Sequence, residues 1–469
     1  MSMLFLTTVG AGWTQSQAPA GYDAQPETTQ SAFPQDSTTE DFPEAPPEVQ
    51  EQGSFPTPPA RSRSYLLIGV HAAESGQNDP SGVLGYSSQL SSSTNVFGSV
   101  RLRNSRRRFE TAVDYMGGGD FYTSYGSAGL YEQQEQQLSA EESILWPRAR
   151  LTFSDLFRYA GEGSYGASSF GGGSAYNLRF DSFPIDSATD KATAPVFVPN
   201  QLTQVGSDAY TINVSSVDLS ETLTPRSLLN VGGSYAMTNY VGSGEGLFNS
   251  RQASGSMAYS YVLTPKDTLG ALYGYQAFEF PSSGVGRLVT NSIQATYHHT
   301  ITGRMELLLS GGPEFISLTG GTVAETQQTG LTAQAALSYQ WKKSNLNVSY
   351  NRQVSSGSGY FAGAITNVGY VSIDRSFSRS WQGSISGGYT RATEIGSISA
   401  AIGGSSFDYA FASAALRRRM GRYLSGFVSY QYDGENFASC LVTNGCNPVV
   451  RRHIVSIGFD WYIRPIRLE

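Results

Sequence analysis

The sequence predicts an all-β fold, a transmembrane antiparallel up-and-down β-barrel of 18 strands. Between successive short turns lies one longer Gly/Ser-rich loop, flanked by two segments in which apolar and polar residues alternate. Tight turns on one side and long loops on the other are typical of barrels that span a membrane. The eight short turns, most of them basic, recur about every 40 residues with one doubled interval, near Arg106, Arg148, Pro225, Pro265, Gly303, Lys343, Arg379 and Gly421.

Composition supports this fold. The 469-residue chain has 52 Gly, 28 Tyr and 24 Phe, and only 15% of its residues are charged. It contains no run of about 18 apolar residues, so no transmembrane helix is expected. A soluble β-protein is the alternative, but a propeller would place four short strands in each repeat of this length, where this chain has two long ones.

The first 61 residues differ from the rest. Residues 1–20 resemble the end of a secretory signal peptide, although they lack a basic start. Residues 21–61 are rich in Pro, Gln and Thr and are expected to be disordered. The barrel domain is predicted to cover residues 62–469. Residues 1–60 contain no Lys or Arg but eight acids: Asp23, Glu27, Asp36, Glu40, Asp41, Glu44, Glu48 and Glu51.

Eighteen candidate strands lie between Ser64 and Ile463, with sixteen as the alternative because the first hairpin and the fourth strand are the least regular. An even number returns the carboxyl terminus to the side of the amino terminus. Period-two alternation is also found in soluble sheets, but these segments exceed the usual 5–6 residues and are long enough to cross a bilayer obliquely. In the last strand the apolar set is Val455, Ile457, Phe459 and Trp461.

Aromatic residues collect at both ends of the strands. Trp146, Trp341, Trp381 and Trp461 lie beside short turns or at the end of the last strand. Near the long loops lie Tyr115, Tyr159, Tyr240, Tyr389 and Tyr432. Rings at both strand ends predict two aromatic girdles at the membrane interfaces.

This repeat architecture over residues 64–463 resembles that of bacterial outer-membrane β-barrels of porin-like size. The segment His453–Ile463 is similar to the final strand that the barrel-assembly machinery recognises in this family, although the chain continues to Glu469. The resemblance implies outer-membrane lipid around the barrel, an amino-terminal tail in the periplasm, and passive diffusion of small polar solutes without a cofactor. A polymer exporter with periplasmic partners and a structural or adhesive barrel with an occluded lumen are the alternatives. A homo-oligomer is left open.

The doubled interval contains the longest loop, residues 161–208, which is the third long loop. In porins the third loop narrows the lumen; a surface loop over the mouth is the alternative. The resemblance implies that the constriction is lined by Arg179, Asp181, Asp186, Asp190 and Lys191. Further lumen candidates on the polar strand faces are Glu110, Asp114, Gln334, Asn347 and Asp433.

Chemistry beyond transport is not expected. The four His do not form a catalytic arrangement, because the adjacent His298 and His299 face opposite sides of a strand. The sequence has no nucleophile elbow, zinc spacing or phosphate loop, so neither an enzyme nor a metal site is predicted. The charge after residue 60 is nearly balanced, with 31 basic and 30 acidic residues, which gives no basic field for nucleic acid. Cys440 and Cys446, in the last long loop, predict a disulfide in an oxidising compartment.

Overall fold

The computed structural model describes residues 64–79, 89–124, 130–160, 209–241, 248–281, 285–321, 326–357, 361–395, 406–437 and 449–468. The predictions for segments 1–20 and 21–61, for the loop 161–208 and for the pair Cys440 and Cys446 lie outside these ranges. Within the ranges, no helix is long and apolar enough to cross a membrane.

The described residues form eighteen long strands and one short one. The long strands run from 12 to 18 residues. In chain order they are β1 (Tyr65–Asp79), β2 (Gln89–Arg106), β3 (Phe109–Ser124), β4 (Leu130–Leu145), β5 (Ala149–Ala160), β6 (Tyr210–Thr224), β7 (Ser227–Tyr240), β8 (Ser250–Val262), β9 (Asp267–Glu279), β10 (Val285–Thr302), β11 (Met305–Gly321), β12 (Thr326–Gln340), β13 (Ser344–Ser355), β14 (Ala364–Ser376), β15 (Trp381–Glu394), β16 (Ser406–Arg419), β17 (Leu424–Phe437), β18 (Val449–Tyr462) and β19 (Ile466–Arg467).

The sheet closes on itself. Each long strand pairs antiparallel with its sequence neighbours, and β1 pairs with β18 from Gly69↔Tyr462 to Asn78↔His453. After a break at Pro465, β19 extends the same seam through the pair Tyr65↔Arg467. Because β1 pairs with β18, neither the first nor the last strand is left as a free edge, as a membrane-spanning sheet requires. The prediction of an 18-stranded antiparallel barrel is confirmed, and the sixteen-strand alternative is wrong.

On the long-loop side, strands extend through polar segments that show no apolar alternation. β1, for example, continues through the segment from Glu74 to Asp79. This stretch is polar, so it gives no apolar pattern, but its backbone ladder with β2 is complete. The Ser75 hydroxyl also lies 2.9 Å from the Ser456 hydroxyl across the seam. Polar residues therefore prolong the strands by backbone pairing, which hydrophobic periodicity does not detect.

The two faces of the wall differ in polarity. On β18, Val455, Ile457 and Phe459 are 53%, 62% and 49% exposed, whereas the intervening Ser456 and Asp460 are 3% and 0% exposed. The apolar set therefore faces outward, the inverse of a soluble sheet, which suits a lipid surrounding. Asp155 on β5 is an exception on the outer face, where it accepts a 2.5 Å hydrogen bond from Ser215 Oγ.

The aromatic residues predicted to form the two girdles lie on the outer face, with one exception. The side chains of Trp146, Trp341, Trp381 and Trp461 are all 37–45% exposed at the short-turn side. Tyr240 does not belong to the outer face of the long-loop side as the sequence predicted. Its ring lies 6.1 Å from that of the inward-facing Tyr210, its ladder partner on β6. Its position at a strand end was right and its face was wrong.

The short connections form a basic ring at one end of the barrel. They contain two to four residues each, whereas the connections on the other side contain 4 to 49. Each of the eight short connections holds at least one exposed Lys or Arg and none holds an acid. Their ten basic residues, named here the basic turn ring, are Arg107, Arg108, Arg148, Arg226, Lys266, Arg304, Lys342, Lys343, Arg379 and Arg422.

Candidate channel interior

The inner wall is polar and closely covered. Period two along β8–β12 places amide and hydroxyl side chains inward, and many of them are less than 8% exposed. The Gln294 carbonyl accepts a 2.7 Å hydrogen bond from Ser310 Oγ on the next strand. The buried polar residues of this sector include Gln252, Gln276, Thr290, Ser292, Gln294, Thr296, Ser310 and Thr332. Such a surface suits polar solutes or water. The low exposure of these side chains also shows that the interior is not a wide open tube beside β8–β12.

The first charged cluster lies on β2–β5 towards the short turns. Asp114 accepts hydrogen bonds from Arg101 Nε and Arg103 Nη2, both at 2.8 Å. Arg150 Nη2 lies 3.3 Å from Glu110 Oε2. The sequence-predicted lumen residues Glu110 and Asp114 thus share the inner face, but each faces a basic partner. The cluster presents paired charges rather than a one-sign field.

A second cluster lies on β16–β18 towards the long loops. Asp433 accepts hydrogen bonds from Arg452 Nη2 at 2.9 Å, Tyr409 Oη at 2.9 Å and Gln431 Nε2 at 2.7 Å. Both charged groups are buried, so each needs the other to offset its lost hydration. The predicted candidate Asp433 is therefore a neutralised member of a packed network.

A third cluster lies at the seam where β1 pairs with β18. His71 Nδ1 on β1 lies 2.6 Å from Asp460 Oδ1 on β18, and both side chains are fully buried. Arg417 Nη2 lies 3.3 Å from the other Asp460 oxygen, and Phe427 stacks on the His71 ring at 5.2 Å. Sequence reasoning missed this cluster. His71 lies on the inner face of β1, but only closure of β1 on β18 brings Asp460 opposite it.

The remaining predicted candidates divide into two groups. Gln334 on β12 and Asn347 on β13 lie half-buried on the inner face, away from the charged clusters. The constriction candidates Arg179, Asp181, Asp186, Asp190 and Lys191 lie outside the described residues. Their role stays a prediction.

The upper part of the β13–β14 hairpin leaves the barrel wall. β12 pairs with β13 only as far as Ala333↔Arg352, although β11 and β12 continue together to Leu318↔Thr326. β13 and β14 stay paired up to Ser355↔Ala364. Described residues 353–357 and 361–366, named here the inner hairpin, therefore have no paired strand on the β12 side, while 364–366 remain paired with β15.

The inner hairpin reaches the inner face of the wall at β9–β11. The backbone N–H of Val354 donates to the carboxylate of Glu314, a buried inner-face residue of β11. A Cβ placed on Gly363 would lie 2.5 Å from Leu288 Cδ2, on the inner face of β10. The inner hairpin therefore passes inside β11 and β12, and the residue that precedes β14 contacts β10.

Apolar packing holds the tip in place. Described residues 353–357 and 361–364 are all buried, in contrast to the alternation elsewhere. Val354 and Ala362 join a cluster with the inner-face residues Phe278, Leu288, Ile316 and Leu318. On the other side, Phe361, Ala364 and Val368 pack with Phe407, Tyr409 and Phe411. The long-loop half of the interior is thus partly filled by two apolar clusters.

Two glycines permit this conformation. Gly357 has a φ of 84° and Gly363 a φ of 98°, in the left-handed region that residues with a Cβ rarely adopt. The carbonyl of Gly363 accepts a 3.2 Å hydrogen bond from the N–H of Ile395, which fixes the tip against the end of β15. Ser-Gly-rich loop sequence alone predicts a turn here, but not its direction.

Comparisons with known proteins do not assign this chain to a family. No protein-family profile and no curated protein sequence matches the chain. Among solved structures it is similar to the outer membrane protein OpdK of Pseudomonas aeruginosa, with 10% identity, a TM-score of 0.41, and coverage of 85% of this chain and 99% of that one. It is also similar to OccAB3 of Acinetobacter baumannii (9% identity, TM-score 0.43, 85% and 99% coverage) and to the FrpB iron transporter of Neisseria meningitidis (8%, 0.40, 85% and 82%). At such values the likeness assigns neither a solute nor a mechanism to this chain.

Proposed function

We propose that the chain forms a channel for small polar solutes in a bacterial outer membrane, narrowed by the inner hairpin. The closed wall, its apolar outer face and its exposed girdle tryptophans support residence in a bilayer. In this arrangement the short turns face the periplasm, as does the amino-terminal tail. Assembly by the barrel-assembly machinery and self-association stay predictions.

The observation that carries the proposal is the departure of the inner hairpin from β12. A closed 18-stranded barrel encloses a lumen wider than a filled core, as sixteen- and eighteen-stranded porins do. Contacts of Val354 with Glu314 and of Gly363 with Leu288 place one hairpin across part of that space. The sequence assigned this role to residues 161–208; the hairpin is an additional constriction with described contacts.

Paired charges on the inner wall support weak ion selectivity. Asp114, Glu110, Asp433 and Asp460 each lie within 3.3 Å of an arginine nitrogen. Opposite charges at such distances cancel in the far field, so they neither concentrate nor repel a passing ion strongly. Size would then discriminate more than charge.

Planar-bilayer recording tests the proposal. In one variant, residues 356–363 are replaced by Asn-Gly, which forms a tight two-residue hairpin turn. A matched control replaces residues 242–247, in the connection between β7 and β8, by the same dipeptide. The first variant should show a larger single-channel conductance than the wild type, and the control should not. If no protein conducts at any voltage, the channel proposal is wrong.

A structural or adhesive barrel with an occluded lumen is the second candidate. It is favoured by inner-face side chains with almost no exposure, including Phe97, Tyr210, Phe278 and His71. Under this hypothesis, removal of residues 356–363 leaves the lumen blocked and the bilayer silent. Cells that lack the protein would instead lose surface attachment or envelope integrity, without a change in solute uptake.

A further inference from the structure

The basic turn ring is a surface of one charge without described counter-ions. All ten of its Lys and Arg side chains are exposed, and none forms a salt bridge within the described part of the chain. Eighteen strands spaced about 4.8 Å apart and tilted about 40° give a barrel about 35 Å across, which the ring borders. Ten positive charges around one mouth attract anions, and an extended polyanion about as long as the barrel is wide could contact many of them at once.

One residue of the basic turn ring has a strained backbone conformation. Arg107 has a φ of 46°, the only positive φ among non-glycine residues of the described chain. Asn or Gly occupies such turn positions at lower cost, because the left-handed region crowds a longer side chain. A charged residue is thus present where local backbone energetics favour a smaller, uncharged one.

The chain itself contains an anion of the right size. Residues 23–51 carry eight acids, and no Lys or Arg precedes Arg61. This segment joins the barrel at β1, whose first residue lies on the short-turn side, since Tyr65 pairs with Arg103 near the end of β2 at Arg106. The acidic segment and the basic ring therefore start from the same end of the molecule.

We infer that the acidic segment 23–51 binds the basic turn ring. A random coil of about 40 residues has a root-mean-square span of about 35 Å, which matches the estimated barrel diameter. Tethering also gives an effective concentration of the order of millimolar, so even weak charge pairing is largely satisfied within one molecule. A free anionic partner would need a higher intrinsic affinity to compete.

Carbodiimide cross-linking of the full-length protein in neutral detergent tests this inference. The chain has four lysines, and three of them, Lys266, Lys342 and Lys343, belong to the ring. The fourth, Lys191, lies in the connection between β5 and β6, which starts and ends on the other side. Mass spectrometry should find amide bonds from tail carboxylates to the ring lysines and not to Lys191. The yield should fall by about tenfold between 0.05 and 1 M salt, because screening shortens from about 14 to 3 Å.

Two sets of arginine substitutions distinguish binding to the basic turn ring from a non-specific effect of positive charge. The first changes four ring residues to Gln while every lysine remains: Arg148, Arg226, Arg304 and Arg422. The control changes four exposed arginines on the long-loop side: Arg251, Arg287, Arg391 and Arg451. The first set should lower the cross-link yield several-fold, and the second should leave it unchanged. Equal yields in both sets, or equal labelling of Lys191, would overturn the inference.

Anionic lipid is the competing occupant of the ring. The same cross-linking is therefore repeated in phosphatidylcholine nanodiscs and in nanodiscs containing phosphatidylglycerol. Cross-links that persist in both support the tail as occupant. Their loss only in the phosphatidylglycerol discs would show that the ring binds lipid headgroups instead. The readout requires no channel activity, so it is independent of the proposed function.

Discussion

Replacement of Gly363 by alanine is expected to release the inner hairpin while the barrel stays folded. Alanine at a φ of 98° is strained, which costs about 1–2 kcal/mol. Its Cβ would also lie 2.5 Å from Leu288 Cδ2, and overpacking of this kind costs about 1–3 kcal/mol. A combined cost of about 3 kcal/mol shifts the equilibrium between docked and released hairpin by about a hundredfold.

The strain is expected to open the hairpin and not the barrel. Above Ala333↔Arg352 the β13 arm of the hairpin has no ladder to β12. This arm is held by its ladder to β14, by its packing and by the bond from Val354 to Glu314, while the β14 arm stays paired with β15. Elsewhere in the described wall, each long strand keeps an antiparallel ladder on both sides. Local opening then relieves the strain at lower cost than global unfolding.

Chymotrypsin cleavage after Phe361, together with single-channel conductance, measures the release. Phe361 is 8% exposed and should resist cleavage in the wild type. The Gly363→Ala protein should be cut much faster and should conduct more, with an unchanged unfolding midpoint. Gly76→Ala is the control, since a Cβ there meets nothing within 4 Å. Wild-type protection and conductance in Gly363→Ala would refute the argument.

Three further substitutions test the clusters and the turn strain, each by denaturant unfolding in micelles. Asp433→Leu should cost about 3–5 kcal/mol because it leaves the buried Arg452 without its carboxylate, and the double variant with Arg452→Met should recover most of this loss; an equally unstable double variant would contradict the pairing. His71→Phe keeps a ring beside Phe427 but loses the 2.6 Å contact with Asp460, so a loss of about 1.5–3 kcal/mol is expected. Arg107→Asn should raise stability by up to about 1 kcal/mol, since asparagine tolerates a φ of 46° better; a destabilised variant would show that the arginine side chain makes a contact that offsets its strain.

The strand order was predictable because each strand carries its own signal. Turn residues such as Pro225 and Pro265, and alternation such as Val455, Ile457 and Phe459, depend only on neighbours in sequence. The same period of two predicted which side chains face outward, once the barrel was taken to be surrounded by lipid. Tyr240 shows the limit of this reasoning, because a tyrosine at a strand end suits either an interface or an interior contact.

The interior was less predictable because it depends on contacts between distant segments. The pairing of His71 with Asp460 spans nearly the whole described chain and needs the closing register of β1 on β18. The inner hairpin contains Val354, Phe361 and Ala362, which alternation reads as the end of an ordinary strand and its loop. The hairpin differs from an ordinary wall hairpin only because the pairing of β12 with β13 ends at Arg352. No residue pattern in the sequence marks the end of that pairing.

The inner hairpin and the ion pairs together constrain how such a channel could select. If the wall carried unpaired charges, ions of one sign would gather at the lumen regardless of the width of the opening. Here the described acids Glu110, Asp114, Asp433 and Asp460 are each paired with an arginine, which weakens their contribution to such a field. The basic turn ring at the short-turn mouth, in contrast, holds ten exposed basic residues. The inferred binding of the acidic segment would reduce discrimination by charge at that mouth, and discrimination by size would occur at the hairpin on the other side.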